Sequence, residues 1–186
     1  MSDSVVVWVS IAVLIFWSMG AYNRLVRLRS HGITAFAALE GMLNQHVLIV
    51  KANAPLAEEQ LPELKVPYSH DEATHAWIGL TAAADQFNAS LKAAHAKPLN
   101  GATMLALRTA LETLSLCWSR LRDLPPDLAG SALPGPLQTQ WENVAVQADV
   151  ARAEFNKRVD IYNEAIHQFP ALLLAWVFGF KPAMPV

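Results

Sequence analysis

The sequence predicts an all-α protein. An N-terminal transmembrane helix continues into an antiparallel four-helix bundle, which a short apolar C-terminal segment closes at the membrane interface. Three observations lead there. A charge-free apolar run occupies residues 5–22. Four further stretches carry apolar residues at spacings of three and four, the helical period. No segment alternates with period two, so no sheet is expected. Composition agrees: 53% of the 186 residues are hydrophobic and only 16% are charged, well below the roughly 25% of an average soluble domain. So apolar a chain is not disordered. A net charge of −2 excludes a nucleic-acid binder held by a basic face. Cys117, the single cysteine, excludes an intrachain disulfide and a cysteine-based zinc site.

The first element is the anchor, residues 5–22. Its 18 residues rise about 27 Å as a helix, close to a hydrocarbon core of about 30 Å. Trp8 lies near one end, with Trp17 and Tyr22 near the other, as interfacial aromatics do. The preceding Met1-Ser2-Asp3-Ser4 has no basic n-region, so the run reads as a retained anchor rather than a cleaved signal peptide. Arg24, Arg27 and Arg29 follow at once, against only Asp3 and the terminal amine on the other side. The positive-inside rule then puts the short N-terminus outside and the rest in the cytoplasm. The arginines also suit anionic lipid headgroups.

The four bundle stretches come next. Leu25, Leu28, Gly32, Ala35, Leu39, Leu43, His46 and Val50 form the first seam. No proline interrupts residues 5–50, so anchor and first bundle helix read as one rod of roughly 70 Å. Residues 53–69, with Pro55, Pro62 and Pro67, read as a loop. Ser69-His70-Asp71-Glu72 is a capping box ahead of the second helix. That helix carries Ala73, Trp77, Leu80, Ala84, Phe87, Leu91 and Ala94. A tight turn at 97–101 leads to Met104, Leu107, Leu111, Leu114, Trp118 and Leu121. A second proline-rich loop spans 123–136, and Pro136 suits the first position of the last helix. The final seam runs Leu137, Trp141, Val144, Ala148, Ala151, Phe155, Val159, Tyr162, Ile166 and Phe169, with a stutter at 151–155–159. The domains are therefore an anchor at 1–22, a bundle at 23–169 and an apolar segment at 170–186.

The end of the chain holds the most specific text. Phe155-Asn156, Tyr162-Asn163 and Phe169-Pro170 repeat an aromatic every seven residues, and Gly179-Phe180-Lys181-Pro182 follows. These residues, with Tyr22-Asn23 after the anchor, resemble the closing signature of the LemA family. Residues 42–51 lack the basic pair, acid and proline that the family shows there, so the resemblance is to a divergent member. It implies a membrane-anchored helical bundle with no established enzymatic activity and with links to membrane organisation. An up-down-up-down path brings the end of the last helix back beside the start of the first bundle helix. Tyr162-Asn163 is thus expected near Tyr22-Asn23. Leu172, Leu173, Trp176, Phe178 and Phe180 are expected at the bilayer surface, in a run too short to span it.

A catalytic reading was weighed. Glu40, Glu72-x-x-His75, Glu112 and Glu164-x-x-His167 match the composition of a di-metal carboxylate bundle. Glu72 opens one helix and Glu164 closes another, so the two sets fall at opposite ends of the bundle, about 35 Å apart. No catalytic residue, metal or cofactor is expected. His46 reads as a hydrogen-bonded core or interface histidine and Cys117 as a small buried or half-buried residue. Asn156 and Asn163 either fix register or subunit pairing, or face solvent. The expectation is a membrane scaffold that contacts lipid, self-associates through weakly charged Ala-rich faces and sits in the bacterial inner membrane. The alternative is an adaptor that presents a membrane-protein partner, a protease or envelope-stress component, through the two proline-rich loops.

Overall fold

A computed structural model describes residues 2–60, 69–125 and 131–186. It contains α1 (Ser2–Gln60), α2 (Ser69–Ala96), α3 (Gly101–Arg122), α4 (Gly135–His167) and α5 (Ala171–Phe178), and no strand among the described residues. Helix α1 is continuous over 59 residues, about 90 Å. Its N-terminal third is the one described helix long and apolar enough to cross a membrane. The best 18-residue window has a mean hydropathy of 2.1 and no buried residue. Burial starts at Leu25.

Beyond that point α1 packs against both α4 and α2, and α2 packs against α3. The pairing is antiparallel. Phe36 meets Phe155 and His46 meets Trp141 across α1–α4. Across α1–α2, Glu40 holds His95 and Lys51 holds Asp85, both at 2.8 Å. The core is one continuous cluster with Leu39, Leu80, Phe87, Met104, Leu107, Leu114, Phe155 and Val159 fully enclosed.

Four details differ from the heptad reading. Helix α1 runs through Pro55 to Gln60, so residues 53–60 are helical rather than loop. A helix-interior proline costs about 3 kcal/mol and leaves the carbonyl four residues back unpaired; that residue, Lys51, is exposed to water here. The rest of that loop, 61–68, and the 69–71 side chains of the capping box lie outside the described residues. Phe36, Val47 and Ile49 are buried although they lie off the seam. A helix flanked on two sides needs a wider apolar stripe than a coiled-coil seam. Phe169 leaves the seam and is 70% exposed, because α4 ends at His167. Pro136 occupies the second helical position, one later than expected, since Pro134 is the N-cap.

The α2–α3 turn carries its own device. Asn100 caps α3 by accepting from the Ala102 and Thr103 amides. Leu99 takes a left-handed φ of 68°, unfavourable for a side chain of its size. That conformation turns Leu99 inward, where its methyls lie 3.4 Å and 3.5 Å from the position a Cβ would take on Gly32 of α1. Of the alanines at 82–84 and 93–94, which make α2 Ala-rich, Ala83, Ala84 and Ala94 are buried in the core, whereas Ala82 and Ala93 face outward.

At the far end of the bundle an aromatic stack closes the core. Trp118 lies on Trp141 with centroids 4.0 Å apart and planes 8° apart. His46 meets Trp141 edge-on at 4.4 Å, and Trp77 donates to the Ala132 carbonyl. His46 is 4% exposed and its Nδ1 has no hydrogen-bond partner. The ring is the core histidine expected, but without the bond expected at that nitrogen. Burial pushes its pKa from 6.5 down to about 4, against weaker opposing effects of the Met42 and Leu43 backbone and of Asp149. The unfolded chain gains this proton near pH 6.5 and the folded chain only near 4. Stability from neutral His46 is whole above the first value and falls as pH drops toward the second, by roughly 3 kcal/mol in full. Thermal unfolding in detergent from about pH 7 to about pH 5 is expected to show a falling Tm. His46→Phe should flatten that fall, and equal slopes in both chains would contradict it.

Candidate functional site

The corner of the bundle beside the exposed apolar part of α1 brings together most of the residues singled out by sequence. Helix α4 stops before Phe169-Pro170 because a residue preceding proline is disfavoured in helical conformation. Pro170, joined to Phe169 by a cis peptide bond, is the N-cap of α5. Gly179, at φ 70°, ends α5, and the Phe180 amide bonds back to the Ala175 carbonyl. Such a left-handed cap is nearly free for glycine and strained for other residues. Within α5, Ala171 and Ala175 are buried; small residues one turn apart let the helix approach α1 and α4 closely. The opposite side is apolar and open: Leu172, Leu173, Trp176, Val177 and Phe178 are all 48% exposed or more, Trp176 at 85%.

Aromatic pairs tie this corner to the anchor. Trp17 meets Phe169 at 5.5 Å, and Tyr22 lies between Phe178 at 4.9 Å and Phe180 at 5.9 Å. Arg24 donates to the Gln168 side chain at 3.5 Å, a long bond. Asn23, Arg27 and Arg29 are exposed, and Trp8 is 70% exposed near the outer end of α1. None of the three arginines is ion-paired among the described residues.

The signature aromatics and asparagines divide between two tasks. Phe155 is fully buried and meets Phe36 edge-on at 5.6 Å; it belongs to the bundle core. Tyr162, Asn163 and Asn156 hold residues 181–186, which run back along α4 away from this corner. The Tyr162 hydroxyl donates to the Lys181 carbonyl at 3.0 Å. The Asn163 amide donates to the Ala183 carbonyl and accepts from the Ala183 amide, both at 2.9 Å. Asn156 repeats this with Val186, both at 3.0 Å. Burial raises the Tyr162 pKa, and nearby Arg29 partly counters it. Tyr162 therefore keeps its proton and its donor role.

An asparagine amide fits because it offers one donor and one acceptor on the same edge, the complement of a residue's N–H and C=O. A tail without regular structure must find partners for these groups somewhere. Phe180, Ala183 and Val186 turn inward while Lys181, Pro182, Met184 and Pro185 stay exposed, the period of three of a polyproline-type strand. Sequence reasoning missed this tail. Its signals were prolines three apart at 182 and 185 facing asparagines seven apart on a helix. It also left two readings of Asn156 and Asn163, register or subunit pairing on one side and solvent on the other, and neither named the tail that both side chains hold.

The carboxylates of the di-metal reading are dispersed. Glu40 pairs with His95 and Glu112 with Arg108. Among the described residues no group of three or more potential ligands converges. Cys117 is half-buried. The proline-rich stretches assigned to partner binding fall partly outside the described residues, at 61–68 and 126–130.

Comparison with known proteins gives one match: the model of the LemA family covers residues 79–185. Neither the curated proteins nor the solved structures contain a match. The matched stretch includes both asparagines, Tyr162 and Ala183. Asn163→Ala would leave the Ala183 N–H and C=O without partners, at a cost of about 1–3 kcal/mol. Hydrogen–deuterium exchange is expected to show residues 180–186 losing protection while α3 keeps it. Asn163→Asp, which cannot donate to the Ala183 carbonyl, should do the same above the carboxylate pKa. Unchanged tail protection in both variants would refute the clamp.

Proposed function

Because this chain belongs to the LemA family, we propose that it is a single-pass scaffold of the bacterial inner membrane. Its short N-terminus lies outside and its bundle in the cytoplasm. The bundle self-associates and organises or shapes the bilayer, with no catalysis assigned to it. One observation carries the reading: the open apolar side of α5 lies at the level of Tyr22, where the anchor leaves the bilayer. Apolar side chains there face the interface region, where an amphipathic or apolar helix too short to span comes to rest. The protein thus contacts the membrane twice, through the span and through α5, and that fixes the tilt of the bundle.

Support for self-association comes from the bundle's outer surface. Leu105, Leu116, Val146 and Val150 are each more than half exposed. Single-particle mass of the detergent-extracted full chain is expected to be a multiple of 20.4 kDa, and a clean monomer would end this part of the proposal. For the membrane contact, the native cysteine is removed as Cys117→Ser and a fluorophore is placed at Leu173→Cys. In vesicles its emission should shift to the blue and be quenched by brominated acyl chains. Emission typical of water would show that α5 does not touch lipid.

A further inference from the structure

A recess of about 360 Å³ opens between the end of the anchor and the α4–α5 corner. On α1 its wall is a single face. Trp17, Gly20, Ala21 and Arg24 are spaced three and four apart, so they stack one above another along the helix. On the other side stand Gln168 and Phe169. A Cβ built on Gly20 would meet nothing within 4 Å, so the space reaches the helix backbone. The recess is apolar toward Trp17 and Phe169 and cationic at Arg24. It is lined by no acidic residue, and Arg24 has only its long bond to the uncharged Gln168.

Its position gives the polarity a meaning, on the reading that residues 5–22 span the bilayer. Trp17 lies about 7 Å below Tyr22 along the helix and Arg24 about 3 Å above it. The apolar part therefore lies at the depth of acyl chains and the guanidinium at the depth of phosphates. We propose that this recess binds one phospholipid of the cytoplasmic leaflet with a net anionic headgroup. Its phosphate is held by Arg24 and its proximal acyl chain lies over Gly20 and Ala21, against the Trp17–Phe169 pair. A guanidinium presents a planar fork of donors suited to phosphate oxygens. Phosphatidylglycerol is the class that fits. A zwitterionic lipid carries the same phosphate but adds an ammonium that has no carboxylate to meet here.

Native mass spectrometry of the full chain, released from detergent with added phosphatidylglycerol or phosphatidylcholine, tests this. One retained phosphatidylglycerol per chain is expected, at about tenfold lower lipid than phosphatidylcholine requires. Arg24→Gln and Gly20→Leu should each weaken retention about tenfold, the second by filling the slot without touching the core. Arg27→Gln, one turn above the recess, should change it by less than threefold. Equal retention of both lipids, or equal losses in all three variants, would overturn the site in favour of diffuse surface attraction. Flotation of the full chain with vesicles separates the underlying reading from the site. If the chain does not float, the membrane-spanning reading fails. If it floats but retains neither lipid preferentially in the mass spectrum, only the recess fails.

Discussion

One helix carries two kinds of surface, and the remaining elements take their positions from it. An α-helix satisfies its backbone internally, so α1 can pass from an apolar medium into an aqueous bundle without changing conformation. What changes is its surface. From Val5 to Phe16 the side chains are exposed and, Ser10 apart, apolar, and from Leu25 one stripe is buried against protein. Because the rod does not break, every contact on it has a height. The α2–α3 turn docks at Gly32 through Leu99, about 15 Å above Tyr22. Helix α4, longer than α3, reaches down to Trp17 through Phe169. Of the described helices, only α1, α4 and α5 therefore approach the level of Tyr22.

Helix α5 is two turns long, and so short a helix does not stand alone in water. Its stability comes from being tied at both ends and seated through its alanines. Pro170 sets its start, Gly179 its end, and the tail beyond is fastened to α4 by five hydrogen bonds at Asn156, Tyr162 and Asn163. Each such bond contributes about 1 kcal/mol net, enough together to hold a segment with few other contacts. The exposed apolar side of α5 is thus a rigid shelf rather than a loose hydrophobic end.

Much of this was legible in the residues. The seams place Leu80, Leu107, Leu114 and Phe155 in the core because a repeat of three and four has only one way to face inward. The anchor and the return of α4 beside it follow from charge and direction alone. Burial at Phe36 and Ile49 was hidden, since a one-dimensional repeat does not say that α1 has two neighbours. The loop boundary at 53 failed because proline weights a helix against continuing without forbidding it. Asn156 and Asn163 were ambiguous for a different reason. Their partners are backbone groups of a distant segment, and backbone groups leave no trace in sequence. The recess at Arg24 was likewise invisible: it is a gap, made by what Gly20 and Ala21 lack.

The tail clamp also measures length. Along α4 its asparagines are seven residues apart, about 10.5 Å of helix. The tail spans the same interval with three residues, about 9 Å in a polyproline-type strand. Each repeat of the two rulers thus slips by roughly an ångström, as the scales of a vernier do. Two rungs, at Ala183 and Val186, share that small error. One heptad further along α4 stands Asp149, which can accept but not donate, so it offers no rung of this kind. Sliding the tail by one residue would turn Ala183 and Val186 away from both amides, so the clamp is a gauge that accepts one register of the tail.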